Sequence, residues 1–224
     1  MKRIKSFLIF ALIVAGVFFA YEFALKYIYE NMMLKKVISR LEADSRIAEV
    51  LVTDVRYNEK EKKTYTTIKF LEYDFKDEPL PPKHFTFSGN IIQFQSLVIR
   101  FDDIHVEDAD QLKGRSAYLF WKVFMLNGSK TQSYDITQID EIPAGYKVGS
   151  IISKFEKELW EQFWEYALNP EQREKTGIKN AQIEAPGTMF VPGILYTIKI
   201  EHDGGIRIDT RRIPHILKGE KIPH

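Results

Sequence analysis

The chain has 224 residues, no cysteine, 45% hydrophobic residues and a formal net charge of +1. This composition excludes a wholly disordered chain, and the lack of cysteine excludes a disulfide scaffold, a cysteine nucleophile and a zinc ribbon. A dedicated nucleic-acid-binding protein is usually strongly basic, so we predict no nucleic-acid partner.

The first predicted element is an apolar segment over residues 7–25, which follows the basic residues Lys2, Arg3 and Lys5. With Glu22 near its far end, the segment approaches the roughly 20 apolar residues that cross a bilayer. A buried helix of a soluble domain would show a polar face, and residues 7–21 show none. We therefore predict a transmembrane anchor over residues 7–25, with the lipid bilayer as its surroundings.

A cleaved signal peptide is the alternative interpretation of this segment. Cleavage needs a small residue at the last position and another two positions before it. A cut after Ala20 or Ala24 places Phe18 or Glu22 at the earlier position, and a cut after Gly16 leaves a short apolar core. The pattern therefore favours an uncleaved anchor.

The orientation of the anchor follows from its basic flank. The positive-inside rule places residues 1–6 in the cytoplasm and everything after residue 25 outside it. We therefore predict a single-pass protein of the plasma membrane, or of the inner membrane if the source is a bacterium, with an extracytoplasmic C-terminal domain.

Residues 26–44 are predicted to continue the helix as a stalk. Proline and glycine are absent from residues 26–43, and Leu34, Val37, Ile38 and Leu41 recur at helical spacing. Fewer than two heptads are clear, so two alternatives stay open. The stalk self-associates as a short coiled coil, or it lies on its own domain.

The period changes to that of strands in the predicted domain over residues 45–210. A hairpin with a charged turn at residues 58–63 is followed by a loop with three prolines at residues 77–82. Strands are predicted near residues 85–87 and over 91–101, where a phase slip near Ser96 indicates a bulge. Asn127-Gly128 predicts a tight hairpin, and Asp203-Gly204-Gly205 predicts the last one.

One amphipathic helix is predicted over residues 150–168, with Ser150 or Ser153 as its start. Its apolar stripe is predicted to contain Ile152, Phe155, Leu159, Phe163 and Tyr166. Its solvent face is predicted to contain Glu156, Lys157, Glu161 and Glu165. With seven or eight strands, the fold class is α+β, namely a mainly antiparallel β domain (barrel or sandwich) after the N-terminal helix. Residues 211–224 are predicted to be a loop or frayed tail.

An acidic stretch provides the candidate metal site. Asp103, His105 and Glu107 alternate, so they would share one face of a strand, and carboxylates with an imidazole could hold a divalent ion. The alternative is a solvated strand end followed by an acidic loop. No calcium-loop pattern is present, and we predict no cofactor.

The sequence contains no catalytic motif, neither a nucleophile elbow nor a His-Glu-x-x-His zinc pattern. Glu201, His202 and Asp203 are adjacent, and neighbours in a strand point to opposite faces, so they cannot form one catalytic set by themselves. We assign no catalytic residue.

Two groups are candidates for partner binding. Trp160 and Trp164 are four residues apart on the predicted helix and would form either an exposed aromatic patch or a wider core contact. Arg207, Arg211 and Arg212 form a small basic cluster that would meet a partner or line a solvated rim.

An apolar N-terminal helix that leads into a β-rich head is similar in outline to type IV pilins, but the pilin glycine cleavage site and the glutamate five residues into the apolar run are missing. The sequence predicts a membrane-anchored binding or scaffolding module of an envelope assembly. The alternatives are a membrane-tethered enzyme, metal-assisted at residues 103–107, and a lipid- or ligand-binding β domain.

Overall fold

The computed structural model of the chain describes residues 2–41, 46–74, 76–101, 116–127, 130–147, 152, 154–169, 171, 178–201 and 205–214. The first element, α1 (Lys2–Leu41), is one continuous helix of 40 residues. At about 1.5 Å per residue the helix is about 60 Å long. The predicted anchor and the helical part of the predicted stalk up to residue 41 therefore form a single element.

Ten strands and two further helices follow within the described residues. They are β1 (Arg46–Asn58), β2 (Lys63–Glu72), β3 (Lys83–Phe87), β4 (Ile91–Phe101), β5 (Ser116–Asn127), β6 (Lys130–Asp135), the 3₁₀ helix η1 (Ala144–Tyr146), α2 (Lys154–Leu168), β7 (Ile178–Glu184), β8 (Gly187–Met189), β9 (Ile194–Ile200) and β10 (Ile206–Arg212).

The strands form two antiparallel sheets. Sheet 1 has the order β10-β9-β1-β2-β3, and sheet 2 has the order β6-β5-β4-β7, with β8 paired to the start of β4. The predicted mainly antiparallel β domain with an N-terminal apolar helix is therefore confirmed. Helix α1 precedes sheet 1 in the chain but contacts β5 and η1, which lie on the side of sheet 2.

The main core lies between the two sheets and is built by the period-two alternation of their strands. Sheet 1 contributes Val50 and Ile68 among others, and sheet 2 contributes Ile92 and Val98. Aromatic rings join the sheets at Phe70, which stacks on Phe94 with the ring centroids 5.6 Å apart. Burial of this alternating face fixes the register of each strand, because a slip by one residue would turn the apolar side chains outward.

The predicted bulge near Ser96 is confirmed, because the register of β4 on β5 shifts between Gln95 and Ser96. Gln95 pairs with Lys122 and Ser96 pairs with Phe120, so Trp121 is the extra residue and belongs to β5. The bulge frees the carbonyl of Trp121 to accept hydrogen bonds from the backbone N–H groups of residues 136 and 137, at 2.8 and 3.1 Å. It also changes the phase of β5 beyond this point.

The segment after β6 covers the edge of β5 that β6 leaves unpaired. The Thr137 hydroxyl donates to the Phe120 carbonyl at 2.8 Å. The Tyr146 hydroxyl donates to the Tyr118 carbonyl at 2.9 Å and accepts from the Tyr118 N–H at 3.1 Å. These hydroxyls supply bonds that another strand would otherwise provide, so the buried backbone groups of β5 are satisfied.

A seam of side-chain hydrogen bonds joins β3 of sheet 1 to β6 of sheet 2. The Tyr134 hydroxyl donates to the Thr86 carbonyl at 2.7 Å, and Ser88 N–H donates to Gln132 Oε1 at 2.8 Å. The Lys83 ammonium group donates to the Ile136 carbonyl. On this side of the head the two sheets are therefore linked directly.

Three element predictions differ from the structure. Strands β7 and β8 were not predicted, and the number of strands exceeds the predicted seven or eight. Strand β10 continues to Arg212, because β9 offers a pairing partner as far as Ile194, so the predicted tail begins too early. Asn127 pairs with Lys130, which makes Asn127 the last residue of β5 and not the first residue of the turn. Helix α2 begins at Lys154, which agrees with the later of the two predicted starts and not with the earlier one.

Candidate functional site

The clearest functional feature is the exposed apolar surface of α1. The window Leu12–Tyr29 has 18 residues and a mean hydropathy of 1.5, and none of it is buried inside the protein. Aromatic and aliphatic side chains such as Phe19 and Phe23 are more than 70% exposed. A continuous apolar surface of this kind is unfavourable in water because of the hydrophobic effect.

By length and composition, α1 is able to cross a membrane, although an N-terminal signal sequence satisfies the same criterion. Glu22 is the acidic residue in this window, and Tyr21, Tyr27 and Tyr29 lie around or beyond it. Tyrosine suits the membrane–water interface because its ring is apolar and its hydroxyl is polar. These tyrosines are concentrated in the C-terminal half of the apolar window.

A second cluster, here called the α2 cluster, lies on the outer face of sheet 2, on the side away from the main core. It contains nine buried residues from the sheet, the segment after β6 and the helix, namely Leu97, Ala117, Leu119, Ile142, Tyr146, Trp160, Phe163, Trp164 and Ala167. The ring of Trp160 lies 5.1 Å from that of Tyr146 and 4.7 Å from that of Phe163, measured between centroids. Helix α2 is therefore a third layer of the head.

The two tryptophans of α2 are buried, with exposed fractions of 2% for Trp160 and 1% for Trp164. The indole N–H of Trp164 donates to the Glu141 carbonyl at 2.8 Å, which holds α2 against the segment after β6. The exposed aromatic patch that the sequence offered as one alternative is therefore not present at these side chains. Their packing matches the other alternative, a wider contact with the sheet.

The buried face of α2 also differs from the predicted stripe. Glu156 was predicted on the solvent face but is 1% exposed, while Ile152 was predicted in the stripe but precedes the helix and is exposed. The buried residues Glu156, Trp160, Phe163 and Ala167 follow helical spacing. The helix is therefore rotated by about one residue from the predicted orientation, because both indoles fill the space above the sheet.

The outer face of sheet 1 mixes polar side chains with half-buried aliphatic ones such as Leu51, Leu71 and Leu195. Its outward side chains, such as Glu49, Lys69 and Lys199, are half-buried and alternate with the buried core residues. Glu49 accepts a hydrogen bond from the Tyr73 hydroxyl at 2.8 Å. Partial burial and this hydrogen bond raise the pKa of Tyr73, since both favour the neutral phenol.

The end of sheet 1 at β10 contains a chain of ion pairs. A terminal guanidinium nitrogen of Arg207 lies 2.9 Å from Glu201 Oε1. The Nε atom of Arg207 lies 2.9 Å from Asp209 Oδ2. Glu201 is thus an ion-pair partner, while His202 and Asp203 lie outside the described residues. Of the predicted basic cluster, Arg207, Arg211 and Arg212 are all exposed on one edge strand.

The candidate metal ligands Asp103, His105 and Glu107 lie outside the described residues, in the gap between β4 and β5. Among the residues that the structure does describe, no group of three or more acidic, histidine or cysteine side chains is placed to hold a metal ion. The metal prediction therefore stays a prediction.

Comparisons of the chain with protein-family models, with curated proteins and with solved structures give no significant match. The features of the molecule that bear on function are therefore the apolar helix α1, the α2 cluster, the outer face of sheet 1 and its edge strand β10.

Proposed function

We propose that the protein is a single-pass membrane protein whose β-rich head works outside the cytoplasm as a binding or scaffolding module in an envelope assembly. The observation that supports this proposal is the fully exposed apolar window Leu12–Tyr29, continuous with a helix that leads into a folded head. Lipid supplies the apolar surroundings that this window lacks in water.

The scaffolding part of the proposal follows from how the head is attached. About 20 residues of α1 are enough for the bilayer, so the rest of the 40-residue helix extends beyond it. A folded domain held at a fixed height above the membrane has a high effective concentration for neighbouring molecules, which favours multivalent contacts. Lys2, Arg3 and Lys5 favour a cytoplasmic N-terminus.

The anchor is tested with the full chain in the membranes of an expressing cell. The protein is expected to stay in the membrane fraction after alkaline carbonate extraction, and its mass should be that of the intact chain. Ala20→Arg, in the middle of the apolar window, should release part of it, because a charge there costs about 3 kcal/mol of insertion free energy. Met32→Arg, beyond the window, is the matched control and should leave the protein in the membrane.

Topology is tested by thiol labelling, which is direct because the chain has no cysteine. Thr131→Cys, on the exposed strand β6, should react with a membrane-impermeant reagent in intact cells, and Ser6→Cys should react only after permeabilisation. The opposite pattern would show that the head is cytoplasmic. A mass that corresponds to cleavage after Gly16, Ala20 or Ala24 would show a signal peptide and refute the anchor.

The scaffolding role has its own test against the enzyme alternative. Native mass measurement in mild detergent should give an assembly larger than a single copy of the chain. If a divalent metal instead raises the melting temperature of the detergent-solubilised protein, and Asp103→Ala abolishes the rise, the metal-assisted enzyme replaces the scaffold as the better explanation.

A further inference from the structure

Strand β10 is an edge strand whose outward backbone groups can be identified. Next to the strand, Glu201 N–H donates to the Gly205 carbonyl at 2.8 Å, and Ile213 N–H donates to the Gly193 carbonyl at 3.0 Å. The register from Ile206 to Arg212 is continuous. The backbone N–H and C=O groups of the odd-numbered residues therefore bond to β9, and those of the even-numbered residues point away from it.

The outward backbone groups of β10 are those of Ile208, Thr210 and Arg212. Within the described part of the chain, no backbone group pairs with them. Edge strands are usually protected by charged side chains, a bulge, an internal proline or a covering element, because they can otherwise pair with another strand, and of these β10 has the charged side chains. The other edge of sheet 1, β3, is joined to β6 by the seam, whereas β10 has no bulge.

The charges along β10 restrict which strand can pair with it. Arg207, Asp209 and Arg211 alternate on the outer face, and Arg207 already contacts Glu201 and Asp209. Arg211 has no carboxylate within ion-pair distance among the described residues and is exposed. A strand that pairs well with β10 therefore places an acidic side chain opposite Arg211.

We propose that the missing strand is β10 of a second copy of this chain, paired antiparallel about a two-fold axis at Thr210. In this register Asp209 of each copy lies opposite Arg211 of the other, which gives two cross-strand ion pairs. Thr210 pairs with Thr210, and Ile208 pairs with Arg212. The outward backbone groups of all three residues then form ladder hydrogen bonds, and two copies of sheet 1 become one sheet of ten strands.

The neighbouring registers are less favourable. A two-fold axis at Asp209 would place Arg207 opposite Arg211 and Asp209 opposite itself, so every charged pair would be repulsive. An axis at Ile208 pairs Arg207 with Asp209 but leaves Arg211 opposite Gly205, without a carboxylate. Only the Thr210 register of these three gives Arg211 a partner.

The symmetry also fixes the side of the shared sheet on which the α1 contacts of both copies lie. The two-fold axis passes through a pair of facing residues in two antiparallel strands. Such an axis runs perpendicular to the sheet that the strands form. Both copies therefore keep sheet 2, and with it the α1 contacts at β5 and η1, on the same side. The proposal gives the head of the proposed scaffold a surface for self-association. Only the placement of both α1 helices in one membrane rests on the proposed function.

The test is disulfide crosslinking of the full chain in its membrane, in the natural cysteine-free background. Facing residues of a hydrogen-bonded antiparallel pair have Cα atoms about 5.5 Å apart, which is within disulfide range. Thr210→Cys should therefore give a species of twice the mass of the chain after mild oxidation, and the control Thr131→Cys on β6 should stay monomeric. A monomeric Thr210→Cys, or stronger crosslinking by Ile208→Cys, would overturn the proposal.

A charge exchange in the Thr210→Cys background tests the register independently. Asp209→Arg alone, or Arg211→Asp alone, puts like charges opposite each other and should reduce the crosslinked fraction several-fold. The double exchange should restore it, and a double variant that crosslinks no better than the single ones would refute the register. Membrane extraction is measured on the same samples, so loss of the dimer is distinguished from loss of the anchor.

Discussion

The two outer faces of the head show how one strand period can lead to different architectures. On sheet 2 the outward side chains are apolar, as at Leu97 and Leu119, and α2 buries them in the α2 cluster. On sheet 1 the outward positions alternate polar residues such as Glu49 and Lys69 with single leucines such as Leu51 and Leu71, and all of these stay half-buried. The inward faces of both sheets are equally apolar. The outward residues alone therefore determine which sheet needs a third layer.

The largest expected effect is the removal of an indole from the α2 cluster. Trp164→Ala should lower the free energy of unfolding by about 3–5 kcal/mol, because it leaves a cavity and removes the bond to the Glu141 carbonyl. Tyr57→Ala removes an exposed aromatic ring from sheet 1 and should change the free energy of unfolding by about 0.5 kcal/mol. Denaturant titration in detergent measures both, and equal losses would remove the distinction between the faces.

The next effect concerns the hydroxyl that satisfies the edge of β5. Tyr146→Phe leaves the buried N–H and C=O of Tyr118 without their partner and should lower the free energy of unfolding by about 2 kcal/mol or more. Tyr134→Phe removes a bond to the Thr86 carbonyl in a more exposed place and should lower it by about 1 kcal/mol. The same titration would contradict the assignment if the order were reversed.

A finer comparison is possible inside the α2 cluster. Trp164 donates to Glu141, whereas the buried indole N–H of Trp160 has no acceptor in the part of the chain that is described. Trp164→Phe should therefore lower the melting temperature more than Trp160→Phe, by the equivalent of about 1 kcal/mol. Equal shifts would mean that the hydrogen bond adds nothing to the packing.

On sheet 1 the ion pairs of Arg207 should contribute little. Its side chain is 56% exposed, so Arg207→Gln should lower the free energy of unfolding by about 1 kcal/mol at most. The difference from the unchanged protein should shrink in about 1 M salt, where the screening length is about 3 Å. A large loss that persists in salt would show that this face is structurally as important as the α2 cluster.

The smallest effect is a dependence on alkaline pH. The pKa of Tyr73 is raised above its ordinary value of 10.0, mainly by burial and then by the hydrogen bond to Glu49. The stabilisation is complete below pH 10, where the phenol keeps its proton in both states, and declines as the pH rises further because the unfolded state ionises first. Tyr73→Phe should reduce the slope of stability above pH 10, as measured by denaturant titration at several pH values, and an unchanged slope would contradict this role of Tyr73.

Strand prediction succeeded where the side chains alternate clearly. The β1–β2, β5–β6 and β9–β10 pairings and the irregularity near Ser96 all follow from local period and turn residues. Strand β7 was missed because Ile178 and Ile183 are separated by polar residues and do not alternate. It forms because β4 offers it an edge, and a tertiary partner of this kind is not visible in a sequence window.

The candidate site was predicted unevenly. The apolar helix was found from composition, since a lipid-compatible segment is a property of consecutive residues. The predicted orientation of α2 is wrong by about one residue, because the predicted apolar stripe lies beside Trp160 and Trp164, although a wider core contact through both is one of the two alternatives that the sequence offers. The free edge of β10 could not be predicted at all, since it depends on which strands find neighbours.

The two sheets are linked on both sides of the head, and this predicts where the backbone opens first. The seam joins β3 to β6, and towards the β10 side the Tyr196 hydroxyl of β9 donates to the Met189 carbonyl of β8 and accepts from the Val191 N–H, each at 2.9 Å. The amide protons of β9 should therefore exchange with deuterium late, and the outward amide protons of Ile208, Thr210 and Arg212 early. A second copy paired at β10 would slow this early exchange without changing that of β9.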